Sequence, residues 1–287
     1  MTLQKIGVGL ICCLCCLSLW GQRDLEETVC QNNVQKGIRT GVLQQYNRTL
    51  GYVVWMNPAK VKSGYFIDRG TYPNVYSRIT DWTEPSAILV STSGNYVNKN
   101  YHQSIGLTVD RGKVLNKTLA RDMDGLVVTL NGSLTIFSVQ RPFKLPGQYK
   151  SINASYDKTR LLQWAQRIKA SVFQTHLLAF DNALTISTAG NKKVAKRKFL
   201  ATVYDKSGNK QRVLFYLQKG AYLQKAAKQV FDYLRVQGYH VQAMVNLDTG
   251  GNDILTIDDT LQRCNNRVIR GFMSATYATN LLVFYNQ

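Results

Sequence analysis

The distribution of apolar and polar residues is most informative near the C-terminal third of the chain. From Leu223 to Leu234 the apolar residues recur at spacings of three and one, which places them on one face of an amphipathic helix. Gly238 stands where a helix-ending glycine belongs. An apolar run from Val241 then changes abruptly into a polar, glycine-bearing loop at residues 246–253. This order predicts a helix, a strand and a loop that presents hydrogen-bonding groups at the strand end.

Other short apolar runs are bounded by turn residues, which predicts strands joined by hairpins. Asn131-Gly132 is the strongest of these turn signals, and it predicts pairing of residues 126–130 with 134–139. Further strands are expected at residues 51–56, 87–91, 105–115 (a hairpin), 171–180, 199–204, 212–217 and 281–285, and further helices at 74–82 and 157–170. Many hairpins with two or three helices indicate an α+β domain with mixed or antiparallel sheets.

The chain opens with a segment typical of export. Residues 1–22 contain a lone Lys5, an apolar run at 6–20 and no acidic residue, which is a signal-peptide pattern. A retained anchor or a lipid-anchored cysteine is the alternative. The remaining chain is expected to have a lead segment at 23–50 and one domain at 51–287. We therefore expect a periplasmic or extracellular protein with no membrane span in its mature form.

Cys30 and Cys264 are the two cysteines outside the predicted signal peptide. Disulfides persist in exported proteins, so a bond between these residues is one expectation. Two free, buried thiols are the other, because cysteines far apart in sequence reveal nothing of their geometry.

The chain is strongly basic. Lys and Arg number 36 and Asp and Glu 17, a net charge of +19 that becomes +18 when Lys5 leaves with the signal peptide. Such an excess favours anionic partners, among them phosphate-containing glycans, or it serves solubility alone. Nucleic acid is disfavoured, because the charge is spread along the chain and no aromatic-basic module accompanies it.

Five motifs in order resemble those of the phosphodiester glycosidase family. Ser93-Gly94-Asn95-Tyr96-Val97 is similar to the family's Asn-Gly-Gly-Tyr-Phe turn, and Asn246-Leu247-Asp248-Thr249-Gly250-Gly251-Asn252 to its Asn-Leu-Asp-Gly-Gly-Gly-Ser signature. The other three matches are Gly106-Leu107 with Gly112, Gln174-Thr175-His176-Leu177, and the strand from Arg197 to Ala201 followed by the turn from Asp205 to Gly208. The resemblance spans residues 51–285 and implies the family's fold.

The resemblance also implies hydrolysis of a sugar joined through its anomeric carbon to a phosphodiester. Asp248 would be the carboxylate that activates water or attacks the sugar, and Arg197 would hold the phosphate. His176 would donate a proton or contact the substrate. The remaining candidate substrate-binding residues are Asn95, Gln174, Asn246, Gly250, Gly251, Asn252 and Asp253.

Each of these assignments has a structural alternative. Asp248 can brace its own turn, Arg197 can belong to the solvated basic run at residues 192–198, and His176 can be a core histidine. No cofactor is predicted. A divalent cation held by Asp248 and Asp253 is the alternative, although the spacing of these oxygen ligands matches no established loop.

Two functional hypotheses follow. The first is an exported glycosidase that cleaves a sugar-1-phosphodiester bond in a glycan or envelope polymer. The second is a catalytically inactive protein of the same fold that binds anionic glycans, because Thr249 and Asn252 depart from the family signature.

Overall fold

The computed structural model describes residues 25–67, 79, 87–98, 103–186, 193–250, 253–264, 267–275 and 278–286. The predicted signal peptide and, apart from Ile79, the predicted helix at 74–82 lie outside these residues. In chain order the strands are β1 (Glu26–Asn33), β2 (Ile38–Gln45), β3 (Arg48–Met56), β4 (Lys62–Ile67), β5 (Ile88–Thr92), β6 (Thr108–Asp110), β7 (Lys113–Asn116), β8 (Gly125–Leu130), β9 (Ser133–Ser138), β10 (Ser171–Thr175), β11 (Leu177–Phe180), β12 (Ala183–Leu184), β13 (Ala195–Tyr204), β14 (Lys210–Ala221), β15 (His240–Leu247), β16 (Leu255–Ile257), β17 (Arg263–Cys264), β18 (Arg267–Val268) and β19 (Asn280–Tyr285).

Within the described ranges these strands form an eight-stranded, a five-stranded, a four-stranded and a two-stranded sheet. The eight-stranded sheet has the order β1-β2-β3-β14-β13-β15-β11-β12, the five-stranded sheet β7-β6-β10-β8-β9, and the four-stranded sheet β16-β5-β19-β4. Neighbouring strands pair antiparallel in all of them. Two helices accompany the sheets, α1 (Lys158–Ile168) and α2 (Leu223–Val236). The expectation of an α+β protein with antiparallel sheets is therefore met.

The eight-stranded sheet is the central layer. One of its faces packs against α2, whose apolar side buries Ala227, Val230 and Leu234. Its other face packs against the four-stranded and five-stranded sheets in the largest core cluster, which includes Tyr65, Phe173 and Phe284. Helix α1 covers the outer face of the five-stranded sheet with Leu161, Trp164 and Ala165. Burial on both faces explains the apolar runs at residues 52–56 of β3 and 243–245 of β15.

Two features differ from the sequence-based expectation. The apolar run at 171–180 is two strands, because the chain changes sheets at His176: β10 belongs to the five-stranded sheet and β11 to the eight-stranded one. The lead segment at 23–50 contains β1 and β2, which extend the eight-stranded sheet beyond β3. Strand β1 is mostly exposed and polar, so its sequence lacks the apolar alternation that marks a half-buried strand.

A disulfide joins Cys30 in β1 to Cys264 in β17, with the two Cα atoms 5.1 Å apart. The bond closes a sequence separation of 234 residues. It therefore ties an edge strand of the central sheet to the C-terminal part of the chain.

Replacing both cysteines, as Cys30→Ala with Cys264→Ala, is expected to lower the free energy of unfolding by about 2–5 kcal/mol, because the unfolded chain gains the freedom that the cross-link removes. Urea unfolding measures the change. The wild-type protein treated with a thiol reductant is the matched control and is expected to unfold with the double variant. Equal stability of the oxidised wild type and the double variant would show that the disulfide does not change the free energy of the folded protein relative to the unfolded chain.

Candidate functional site

Four chain segments converge where β15 ends. The end of β15 lies between the start of β13 and the junction of β10 with β11, and the turn after β5 closes over it. The Asp248 amide donates to the Gly94 carbonyl (3.1 Å), and the Ser93 hydroxyl donates to the Asp248 carbonyl (2.7 Å). On the other side, the Asn246 amide donates to the His176 carbonyl (3.0 Å). The two turns that resemble family motifs are therefore in direct contact.

A buried lysine holds this convergence together. Lys198 has no exposed surface, and its ammonium donates to the Ser93 hydroxyl (2.6 Å) and to the Ile254 carbonyl (2.7 Å). Burial lowers the pKa of Lys198 to about 8, while the negative charges of Asp253 and Asp248 raise it in part. One side chain thus connects β13, the turn after β5 and the segment that follows the glycine loop.

Asp253 is the carboxylate partner of this lysine. Its Oδ1 lies 4.0 Å from the Lys198 ammonium, and its Oδ2 accepts hydrogen bonds from the Tyr216 hydroxyl (2.8 Å) and from Lys196 (3.3 Å). The residue is only 3% exposed. Its carboxylate therefore faces two lysines and a tyrosine, and its Oδ2 links β13 and β14 to the segment after the glycine loop.

Tyr96 contacts two of the candidate residues. Its hydroxyl contacts the Asn246 side-chain amide, and its ring meets the His176 ring edge to face, with centroids 5.3 Å apart. Burial raises the pKa of Tyr96, Asp248 raises it further, and Arg197 lowers it. The charges of Asp248 and Arg197 therefore act on the same hydroxyl. Tyr96 therefore stays protonated at neutral pH and can donate a hydrogen bond.

Asp248 lies in the turn directly after β15 and is 5% exposed. Its Oδ1 accepts a hydrogen bond from the Gly250 amide (2.9 Å), and the neighbouring Thr249 hydroxyl donates to the Lys196 carbonyl (2.8 Å). The loop is thus fastened to β13. Gly250 itself is exposed, whereas Gly251 and Asn252 lie outside the described residues.

Arg197 in β13 and His176, directly before β11, lie in the segments on either side of the end of β15. Arg197 is half-buried, and its guanidinium donates to the carbonyls of Ala221 (3.0 Å) and Lys193 (2.6 Å). Burial lowers the Arg197 pKa, but a guanidinium remains charged at any physiological pH. The His176 Nδ1 is 2.8 Å from the Asp122 carbonyl, so this histidine is anchored to the loop before β8.

Two further predicted residues are bound within the protein. Asn95 is fully buried, its Oδ1 accepts from the Tyr65 hydroxyl (2.5 Å), and its Nδ2 faces Thr108 (3.4 Å). Gln174 is 1% exposed, and its amide bonds the backbone of Leu107, Ala120 and Met123. Both side chains therefore brace the loops around the site.

The sequence analysis did not assign roles to Tyr96 and Lys198. Tyr96 had a signal, since it and Gly94 are the positions that match the family's first turn. The sequence signal for Lys198 is weaker. Alternation along β13 places Lys196 and Lys198 on the face that meets Asp253, and it places Arg197 on the opposite face.

Neither helix in the described ranges is long and apolar enough to cross a membrane. Among the described residues, no three His, Cys, Asp or Glu side chains are grouped closely enough to hold a metal ion.

The sequence matches no protein-family model and no curated protein. The fold is similar to that of solved structures. The catalytic domain of zebrafish N-acetylglucosamine-1-phosphodiester alpha-N-acetylglucosaminidase, auto-inhibited by its pro-peptide, aligns with a TM-score of 0.52 and 12% identity over 92% of this chain and 88% of that one. A hypothetical protein from Synechocystis aligns with a TM-score of 0.46 and 13% identity over 92% of this chain and 62% of that one. At these identities the likeness concerns the fold alone.

The buried Lys198 makes stability depend on pH in a defined direction. Its pKa is about 8 in the folded protein and 10.5 ordinarily, so the unfolded chain binds the extra proton between these values. The contribution of Lys198 to the free energy of unfolding is therefore expected to rise by about 3 kcal/mol from pH 8 to pH 10.5. Urea unfolding of the wild type and of Lys198→Met between pH 8 and pH 10.5 measures how steeply the free energy of unfolding rises with pH in each protein.

The exposed Lys219 provides the matched control. Lys219→Met is expected to keep the wild-type slope, because an exposed ammonium is solvated equally in both states. Identical slopes for Lys198→Met and the wild type would contradict burial of a titrating lysine.

Proposed function

We propose that the protein is an exported glycosidase that hydrolyses a sugar-1-phosphodiester bond in a glycan or envelope polymer. The observation that carries the proposal is the arrangement at the end of β15, where the Asn246 amide and the His176 ring contact Tyr96 and the charges of Asp248 and Arg197 act on the Tyr96 hydroxyl. The similarity of fold to the zebrafish phosphodiester glycosidase domain is consistent with it.

The chemistry of such a bond suits this set of side chains. The leaving group is a phosphate ester, which departs as a stable anion and needs little protonation. The demands on the site are a carboxylate near the anomeric carbon and a cation near the phosphate. Asp248 supplies the carboxylate and Arg197 the cation. A guanidinium has five N–H donors, and the two bonds to Ala221 and Lys193 use two of them.

Tyr96 and Asn246 serve as orienting groups in this scheme. The Tyr96 hydroxyl contacts the Asn246 amide, and the negative charge of Asp248 raises the Tyr96 pKa. The Asn246 Oδ1 is buried and has no hydrogen-bond partner among the described residues. Unpaired buried acceptors are uncommon in stable proteins, and those that persist are frequent at functional sites. This acceptor is therefore a candidate to bind a sugar hydroxyl when substrate displaces the cover formed by Tyr96.

Asp248→Asn is expected to reduce turnover about 10²- to 10⁴-fold, because the amide retains the shape of the carboxylate but can neither accept a proton nor attack the sugar. The measurement is release of free sugar from a panel of sugar-1-phosphodiesters by the purified mature chain. Asp232→Asn, on the exposed surface of α2, is the matched control and should leave turnover unchanged. Full turnover in Asp248→Asn would remove Asp248 from the mechanism.

A second candidate function is binding of anionic glycans without hydrolysis. The hydrogen bond from the Gly250 amide to Asp248 Oδ1 favours it, since that carboxylate oxygen braces its own loop. Thr249 adds a second internal bond at a position where the family signature has glycine. This function predicts saturable binding of a glycan phosphodiester with no product formed.

Arg197→Ala tests the phosphate contact that both candidates share. Loss of a hydrogen-bonded cation is expected to raise the dissociation constant of a sugar-1-phosphodiester, or its KM, about 10- to 100-fold. Calorimetric titration with a sugar-1-phosphodiester gives the binding value in both cases. Arg235→Ala, at the surface of α2, removes the same charge away from the site and is expected to change affinity less than about twofold. Equal losses in the two variants would mean that net charge alone draws the ligand.

A further inference from the structure

A groove lies along the end of β14, next to Arg197. The pairing of β14 with β3 stops at Leu217, which stands opposite Gly51. On its other side β14 continues to pair with β13 as far as Ala221. The last residues of β14 therefore extend beyond β3, and a cavity of about 310 Å³ lies there. We name it the apolar groove and define it by its apolar lining residues Leu50, Val194, Leu217, Ala221 and Tyr222.

The apolar lining of this groove is partly open to solvent. Val194 is 53% exposed and Tyr222 is 46% exposed, although both are large apolar side chains. Leu217 is buried and Leu50 is half-buried, and both pack in the core cluster between the central sheet and α2. The groove is therefore continuous with the core. Exposed apolar side chains at a concave surface are typical of a site for an apolar ligand.

The polar lining of the groove consists of two lysines and two glutamines. Lys219 and Lys225 are exposed, and a lysine carries a long apolar stem below its ammonium. Gln229 donates to the side chain of Gln45 (3.5 Å), so these two amides are bonded to each other. None of the lining residues, all of which lie in the described ranges, is acidic. The lining therefore accepts a hydrocarbon without burying a charge.

The groove begins beside the Arg197 guanidinium. The Arg197 Nε donates to the carbonyl of Ala221 (3.0 Å), which is a lining residue. Its Nη2 donates to the carbonyl of Lys193 (2.6 Å), whose chain neighbour Val194 also lines the groove. Alternation along β13 places Arg197 on the same face as Phe199, which packs in the core cluster that contains Leu217. A group bound to Arg197 can therefore extend directly into the groove.

We propose that the apolar groove binds the hydrocarbon chain of the alcohol in the sugar-1-phosphodiester substrate, an inference that rests on the proposed function. The sugar and the alcohol of a phosphodiester are joined to the same phosphorus, so a phosphate at Arg197 places its alcohol beside Ala221 and Val194. A second sugar in that place would lose water without gaining hydrogen-bond partners from the apolar wall. A hydrocarbon chain gains free energy with each methylene group that it buries. The substrate class is therefore a sugar phosphate esterified to a long-chain alcohol.

Hydrolysis of such a substrate breaks the bond between the anomeric carbon and the phosphate oxygen. Water supplies the new hydroxyl of the sugar, and its remaining proton goes to the departing phosphate. The ester bond to the long-chain alcohol stays intact. The products are the free sugar and an alkyl phosphate.

Octyl phosphate and methyl phosphate are the probes, because neither has an anomeric carbon and neither can be hydrolysed at Asp248. Both are titrated by calorimetry into the full mature chain, below the concentration at which octyl phosphate forms micelles. The dissociation constant of octyl phosphate is expected to be at least about tenfold lower than that of methyl phosphate, since burial of two methylene groups suffices for this difference. Arg197→Ala is expected to weaken binding of octyl phosphate about tenfold or more, because it removes the phosphate contact.

Val194→Ser with Tyr222→Ser removes the two exposed apolar side chains of the groove. Tyr222 is the N-cap residue of α2 and makes no side-chain cap bond, whereas serine is a preferred N-cap residue. The melting temperature is therefore expected to stay equal or to rise. The double variant is expected to bind octyl phosphate at least about tenfold more weakly than the wild type, and methyl phosphate within about twofold of it.

Val34→Ser with Tyr149→Ser is the matched control. It replaces the same two residue types at exposed positions outside the groove. This control is expected to keep the wild-type preference for octyl phosphate.

Three results would overturn the proposal: equal binding of the two phosphates, an octyl preference that survives Val194→Ser with Tyr222→Ser, or octyl phosphate binding that survives Arg197→Ala. The last result would mean that Lys219 and Lys225 hold the phosphate in place of Arg197. None of these measurements requires turnover. Absence of hydrolysis across the sugar-1-phosphodiester panel would therefore contradict the proposed function alone, whereas equal binding of the two phosphates with normal turnover would contradict the groove alone.

Discussion

The arrangement of the candidate site depends on the burial of one ammonium group. Lys198 donates to the Ser93 hydroxyl and the Ile254 carbonyl and faces the Asp253 carboxylate, so it joins three segments that are far apart in sequence. An ammonium can be buried only where hydrogen bonds and an opposite charge replace its water. The same bonds therefore fix the turn after β5 and the end of the glycine loop on either side of Asp248.

The hairpins of the fold were predictable because their pairing is local, whereas the pairings that join them, such as β3 with β14 and β4 with β19, connect strands far apart in sequence. The hairpins at Asn131-Gly132 and around Gly208 bring adjacent strands together, and their turn residues are visible in the sequence. Strand β1 was not predictable in this way, since it is a polar edge strand held by pairing with β2 and by the disulfide. The change of sheet at His176 was also hidden, because both strands are buried and the apolar run continues across the change.

The site was predictable to the extent that single motifs define it. The sequence placed Asp248 and Asn246 at a strand end, where the structure has them, and the segments on either side of β15 contain Arg197 and His176. The roles of Asn95, Gln174 and Asp253 were less accessible. Polar residues beside a glycine turn have the same sequence pattern whether they face a ligand or brace a loop. Only the hydrogen-bond partners distinguish the two cases. These are Tyr65 for Asn95, the backbone of Leu107 and Met123 for Gln174, and Tyr216 for Asp253.

The basic residues of the chain lie in different environments in the structure. Lys196 and Lys198 neutralise Asp253 inside the protein, and Arg197 bonds backbone carbonyls beside Tyr96. Arg111 and Lys169 instead occupy turn positions that glycine would fill with less strain. The net positive charge thus combines cations bonded within the protein, such as Lys198, with exposed cations such as Lys219.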